Sequence, residues 1–149
     1  MLIYLDICCF NRPFDNQSDL IVRLLTEAKL HVQEMIREGT HSLIWSAIMD
    51  VENSANPDLN RKVAIADWQK LGVEDVSVNE RVEAAAETLS RIGVKPMDAL
   101  HVASAIEAHA EYFLTTDKAL IRKMAKHDSI RVVDPVDFVR ELKDTNNED

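Results

Sequence analysis

Short apolar runs alternate along this chain with longer stretches of helical period. Leu2 to Leu5 is a continuous apolar run that ends on a carboxylate, Asp6. "HSLIWS" (41–46), "EDVSV" (74–78), "YFLTT" (112–116) and "IRVV" (130–133) are runs of the same type and predict strands, 74–78 being the faintest pattern. Between them, 18–38 predicts a helix with Leu20, Leu24, Ala28, Val32, Met35 and Ile36 on its apolar face and Gly39 as its cap. A short helix is expected over 47–55 and another over 57–71, with Pro57 near its start and Gly72 after it. Asn79 caps a helix over 80–92 that Gly93 ends. Pro96 opens a helix over 96–110 whose stripe, Ala99, Val102, Ala103, Ile106 and Ala110, keeps the helical period. A helix over 117–127 and a last one in "DPVDFVREL", capped by Asp134 with Pro135 at its first position, complete the series.

Strands alternating with helices predict an α/β domain, with a central, mainly parallel sheet of four to five strands flanked by helices. At 149 residues the chain has the length of one domain. That domain is placed at 1–143, with "DTNNED" (144–149) as a polar, disordered tail. In such sheets ligands bind beyond the carboxyl ends of the strands, near the point where strand order reverses. The residues at those ends are therefore the ones to inspect.

Carboxylates gather there. Asp6 ends the first predicted strand and Asp117 follows "YFLTT". Glu52 lies in the helix after "HSLIWS", and Asp98 in the first turn of the helix that Pro96 opens. Each has an ordinary explanation: Asp6 and Asp117 as caps, Asp98 as a favourable charge at a helix start, Glu52 as a solvated residue. Asp6 could also be half of an ion pair, or a ligand for something positive, because a buried unpaired carboxylate is costly. Together, along one sheet edge, the four would repel one another unless a divalent cation sat among them. Oxygen-only donors suit Mg²⁺ or Mn²⁺.

Composition constrains what such a site could serve. Hydrophobic residues make up 46% and charged residues 29%, ordinary for a soluble globular protein. No apolar run approaches the roughly 20 residues of a membrane span, and no basic segment precedes the first apolar run, so a cytoplasmic location is expected. The net charge of −9 removes any broad attraction to nucleic acid. A polyanionic substrate would need a bound cation or a local basic patch. Cys8 and Cys9 are adjacent, which disfavours a relaxed disulfide, and two cysteines cannot build a four-ligand zinc site; they read as loop or core thiols. The chain has no Gly-rich phosphate loop and no Gly-x-Ser-x-Gly elbow. It also lacks the second carboxylate two residues after Asp6 that haloacid-dehalogenase phosphatases require.

At these same residues the sequence resembles the PIN-domain nucleases. The resemblance is carried by Asp6 in "IYLDICCFNRPFD", Ser46 and Glu52 in "WSAIMDVE", Asp98 in "MDALHVASA", and Thr115 and Asp117 in "LTTDKAL", in that order over about 1–143. It implies a three-layer PIN-like fold and an Mg²⁺- or Mn²⁺-dependent endoribonuclease acting through a metal-activated water. It further implies a VapC-type toxin, usually dimeric, inhibited by a small antitoxin protein. Carried over by position, Asp6, Glu52, Asp98 and Asp117 would hold metal and orient water. Thr115 and Ser46 would support them by hydrogen bonding. The chain departs from the family at Ile7, where a small or hydroxylic residue is common. The alternative is a PIN-like module that binds RNA or protein without turnover.

Other residues have two readings each. Lys118, Arg122 and Lys126 share a helix face beside Asp117, with Lys123 extending it, and would hold RNA phosphates or form a solvated face. Arg12 would touch phosphate or pair with Asp15. His101, three residues after Asp98, is a general base, a ligand or an ordinary partly buried histidine. Asp50 points about 200° around the helix from Glu52, so both cannot serve one metal. Trp45 and Trp68 would stack on bases or anchor the core.

Overall fold

The computed structural model describes residues 1–11 and 16–147, except the side chains of residues 11, 146 and 147. Arg12 and Asp15 lie outside the described residues. The strands are β1 (Leu2–Leu5), β2 (Ser42–Ser46), β3 (Gly72–Val76), β4 (Tyr112–Leu114) and β5 (Arg131–Val133). They form one five-stranded sheet in the order β3-β2-β1-β4-β5, parallel at every pairing. Ile3, Tyr4 and Leu5 are consecutive and all buried, as a strand covered on both faces requires.

The flanking helices are α1 (Ile7–Asn11), α2 (Leu20–Arg37), α3 (Ala47–Ser54), α4 (Leu59–Asp67), α5 (Glu80–Arg91), α6 (Pro96–Glu107), α7 (Lys118–Met124) and α8 (Pro135–Asn147). Asp19, Ser46, Asp58, Asn79 and Asp117 hold extended backbone before α2, α3, α4, α5 and α7, and each side chain accepts a first-turn N–H. α5 buries Val82, Ala86 and Leu89, and α6 buries Ala99, Val102 and Ala103. No described helix is long and apolar enough to cross a membrane.

Strand order fixes where a site can form. The chain runs β1, β2, β3 outward on one side, then returns to place β4 and β5 on the other. The reversal lies between β1 and β4, where Leu5 is level with Leu114. The Asp6 N–H continues that pairing to the Leu114 carbonyl at 2.9 Å. Asp6 therefore stands at the switch point, on the central strand.

Several boundaries differ from the sequence expectation. α1 is too short for any hydrophobic period to reveal it. The span expected as one helix over 57–71 is α4 followed by a 3₁₀ turn, Trp68–Leu71. β3 starts at Gly72 rather than 74; a Cβ there would stand 3.2 Å from both the Trp45 Cβ and the Gln69 carbonyl oxygen. α6 stops at Glu107, three residues short of the expectation, and His109 turns the chain at φ +59°. α7 stops at Met124, so Lys126 lies beyond it. α8 runs to Asn147.

The apolar face expected for α2 holds at Val32 and Ile36, with Ala28 and Met35 half-buried, but not in its first turns. Leu20, Ile21 and Leu24 are exposed, whereas the covered face carries Leu25, Val32 and Ile36 interleaved with Thr26, Lys29 and Gln33. Lys29 is 3% exposed, with its ammonium 5.5 Å from the Phe10 ring centroid. Burial pushes its pKa down from 10.5 to about 8. Below pH 8 the folded chain bears the full cost of that charge. Between about 8 and 10.5 the unfolded chain binds the proton the folded chain has released, so this group's contribution to stability improves as pH rises. Lys29→Met is therefore expected to be more stable than wild type near neutral pH, by ~1–3 kcal/mol. Urea unfolding at successive pH values should show the gap closing across that window.

Candidate metal centre

β1 delivers Asp6 to the switch point, and the turn into α1 closes donors around its carboxylate. Oδ1 accepts the Ile7 N–H at 2.8 Å. Oδ2 accepts the Thr115 hydroxyl at 2.8 Å and the Cys8 thiol at 3.4 Å. Asp6 is only 5% exposed, and among the described residues no Lys or Arg pairs with it. Burial raises its carboxyl pKa, opposed by His101 and by the Thr115 hydrogen bond.

Ile7 loses its anomaly in this geometry. Its side chain packs into the core while its backbone N–H serves Asp6, and the side-chain donors come from Cys8 and Thr115 instead. Cys8 is part-exposed beside the site and Cys9 is buried in the core, both as free thiols. Thr115 is fully buried; besides donating to Asp6, its oxygen accepts the Asp117 N–H at 3.1 Å.

Glu52 arrives from the next strand. Ser46 ends β2 and caps α3, which sets the helix rotation that carries Glu52 toward Asp6. One ligand atom each from Asp6, Glu52 and His101 lies within 4.8 Å of the others. Asp50, on the far side of α3, accepts the Trp45 indole N–H at 3.0 Å, so both residues are otherwise engaged. Trp45 is a core side chain, and Trp68 is partly buried against the same core, with the Arg37 guanidinium 4.6 Å from its ring.

Asp98 lies in the first turn of α6. Its carboxyl pKa is raised by partial burial first, then by the charges of Asp6, Asp117 and Glu52, with His101 opposing. The cluster of ligand atoms within 4.8 Å of one another holds Asp6 and Glu52 with His101 and does not include Asp98 or Asp117. Asp117 has a second duty: its Oδ1 caps α7, accepting the Ala119 and Leu120 N–H groups at 2.9 and 3.2 Å. The ordinary cap reading thus holds for Asp117 even as its charge reaches Asp98.

A cleft of about 520 Å³ opens beside Glu52, lined by Ile7, Asn56, Pro57 and Arg61 among others. Arg61 did not stand out in the sequence, because α4 bears no motif. Lys118 and Arg122 are exposed on α7, with Lys123. Lys126 falls past the helix end, so the expected stripe is two helical residues long, not three. His101 and Tyr4 were the hardest to read; His101 sits one turn after Asp98, the only signal it gave.

The donor set fits a hard divalent cation. It offers two carboxylates beside one imidazole, and its Asp6 carboxylate is buried with no Lys or Arg paired to it among the described residues.

The PIN domain family model matches residues 3–127. No curated protein sequence matches the chain. Among solved structures, the fold is similar to a chain of VapBC2 from Rickettsia felis, a complex solved bound to a DNA fragment from its promoter. The TM-score is 0.54 at 13% identity, covering 89% of this chain and 97% of that one.

Self-repulsion in the cluster has a measurable consequence. Asp98→Asn removes one like charge without changing shape, so the metal-free variant is expected to melt about 2–4 °C above wild type. Added Mn²⁺ should reverse the order by stabilising wild type more than the variant. Differential scanning calorimetry with and without the ion reads both effects.

Proposed function

The chain belongs to the PIN-domain family, and on that premise we propose that it is a metal-dependent endoribonuclease, the toxin of a toxin–antitoxin pair. The observation that carries this is the Asp6 carboxylate, buried at the switch point of a parallel sheet, with backbone and side-chain donors on its oxygens, Glu52 and His101 within 4.8 Å, and no Lys or Arg paired with it among the described residues. Asp6 and Glu52 would hold Mg²⁺ or Mn²⁺, with Asp98 and Asp117 as the further carboxylates that the family resemblance assigns to the ion. When bound, the ion supplies an activated water and a positive charge for the phosphoryl and leaving oxygens of an RNA phosphodiester.

The chain's own residues do the rest. Thr115 and the Ile7 N–H fix the rotation of the Asp6 carboxylate, so its geometry does not depend on the ion. The cleft beside Glu52 offers an apolar wall at Ile7 and Pro57 and a guanidinium at Arg61, which suits a nucleotide next to the scissile bond. Lys118 and Arg122 offer phosphate contacts on the Asp117 side. With a net charge of −9, these local cations and the bound ion must overcome long-range repulsion of RNA. A small antitoxin and a second copy of this chain are the proposed partners, on the family resemblance. The cytoplasm is the proposed location.

The deciding assay is cleavage of a labelled RNA by purified protein. Wild type should cut with Mn²⁺ or Mg²⁺, and a chelator should stop it. Asp6→Asn and Asp98→Asn should each lose roughly 10²–10³-fold or more while remaining folded. Cleavage that survives chelation or either substitution would sink the proposal; metal uptake without cleavage of any RNA would favour the non-catalytic module.

Arg61 is tested separately. With the Asp6→Asn background preventing turnover, Arg61→Ala should weaken RNA binding and lower its salt dependence by about one counterion. An unchanged salt slope would remove Arg61 from the RNA path.

A further inference from the structure

Ser46, Tyr4 and His101 form a buried line of hydrogen bonds that ends on Glu52. We propose that this line is a positioning device for the metal-binding carboxylate, and that His101 acts through Glu52 rather than as a ligand itself. The inference rests on the metal-site reading above and deepens it.

The distances are short and the members are sealed from water. The Tyr4 hydroxyl lies 2.6 Å from the Ser46 hydroxyl and 2.6 Å from His101 Nδ1. The other ring nitrogen, Nε2, lies 3.1 Å from Glu52 Oε2. Tyr4, Ser46 and His101 are fully buried, while the Glu52 side chain is 27% exposed. The line therefore runs from the core to the one member that opens on the cleft.

With Glu52 ionised, the hydrogens along the line fall in one of two ways. The Tyr4 hydroxyl has one hydrogen and two close neighbours. If it donates to His101 Nδ1, the hydrogen of a neutral imidazole must be on Nε2, facing the Glu52 carboxylate. If it donates to Ser46 instead, Nδ1 must donate to Tyr4. Nε2 then needs a hydrogen too, since a bare lone pair against a carboxylate oxygen would be repulsive. In both arrangements Nε2 carries a hydrogen and donates it to Glu52. Neither ring nitrogen keeps a lone pair for a metal, although the ring lies among the cluster's ligand atoms.

The line also ties together the elements that carry the carboxylates. Tyr4 is on β1, two residues before Asp6. Ser46 accepts the Met49 N–H at 3.2 Å and so caps α3, the helix that bears Glu52. His101 is on α6, one turn after Asp98. Tyr4 is locked in turn by stacking on Phe113, with ring centroids 5.1 Å apart and planes 9° from parallel. A shift of any one element would break a bond in the line, so Glu52 is held by all of them.

Tyr4→Phe keeps the ring packing and removes only the hydroxyl. His101→Leu removes the donor to Glu52, and His101→Gln restores one. Calorimetric titration of metal-free protein with Mn²⁺ is expected to show affinity weakened about 10-fold in Tyr4→Phe and about 10–100-fold in His101→Leu, with partial recovery in His101→Gln. Pulsed electron paramagnetic resonance of the Mn²⁺-loaded wild type should show no directly bound nitrogen. A bound-nitrogen signal that shifts on ¹⁵N-histidine labelling would overturn the proposal by making His101 a ligand. Wild-type affinity in Tyr4→Phe, which does not depend on His101→Leu folding, would overturn it by making the line structural only. No Mn²⁺ uptake by wild type would overturn the metal reading itself, and this inference with it; the three failures are distinguishable.

Discussion

Everything at this site depends on one costly placement: the Asp6 carboxylate, buried at the end of the central strand without a cation of the described chain beside it. A charge so placed is unstable unless its oxygens are fully hydrogen-bonded or something positive arrives. The chain supplies the first condition from three directions: the Ile7 backbone, the Thr115 hydroxyl and the Cys8 thiol. The second is left to a ligand. Glu52 and His101 converge on the same point, with ligand atoms within 4.8 Å of Asp6.

The sheet is what makes that convergence possible. Parallel strands end at one edge, and the reversal of strand order leaves a gap between the crossovers that follow β1 and β4. Asp6 and Thr115 are placed side by side there by the Leu5–Leu114 register alone. Glu52 and Asp98 come from helices whose starts are fixed by local chemistry, Ser46 capping α3 and Pro96 opening α6. Stability and site geometry are thus linked through caps: Ser46 serves a helix end and the line to Glu52 with one oxygen.

The fold was legible in the sequence wherever period and punctuation agreed. Gly39, Asn79, Gly93, Pro96 and Asp134 mark helix ends that the structure places within a residue or two. Alternation of strand and helix predicted a parallel sheet, and the sheet is parallel throughout. The errors have physical causes. In α2 the expected face fails only at Leu20 and Leu24, because the covered face also carries Thr26, Lys29 and Gln33, which a hydrophobicity pattern counts as solvent-facing. α1 was missed because a helix of five residues shows no period. In the site, the four carboxylates stand out by type and spacing and His101 by its place three residues after Asp98, whereas Tyr4 does not. Tyr4 looks like any strand aromatic, and the hydroxyl that gives it a purpose points at residues 42 and 97 positions away. Ile7 departs from the family in its side chain, but what serves Asp6 is its backbone N–H, which every residue except proline carries.

The central claim is that these carboxylates form one cation site built around Asp6. It is tested most directly by crystals of the protein grown with Mn²⁺ and measured for anomalous scattering. The account predicts a single strong peak in contact with carboxylate oxygens of Asp6 and Glu52 and facing Asp98, with His101 Nε2 still bonded to Glu52. A peak ligated by His101, a peak away from Asp6, or an empty site at saturating Mn²⁺ would contradict it.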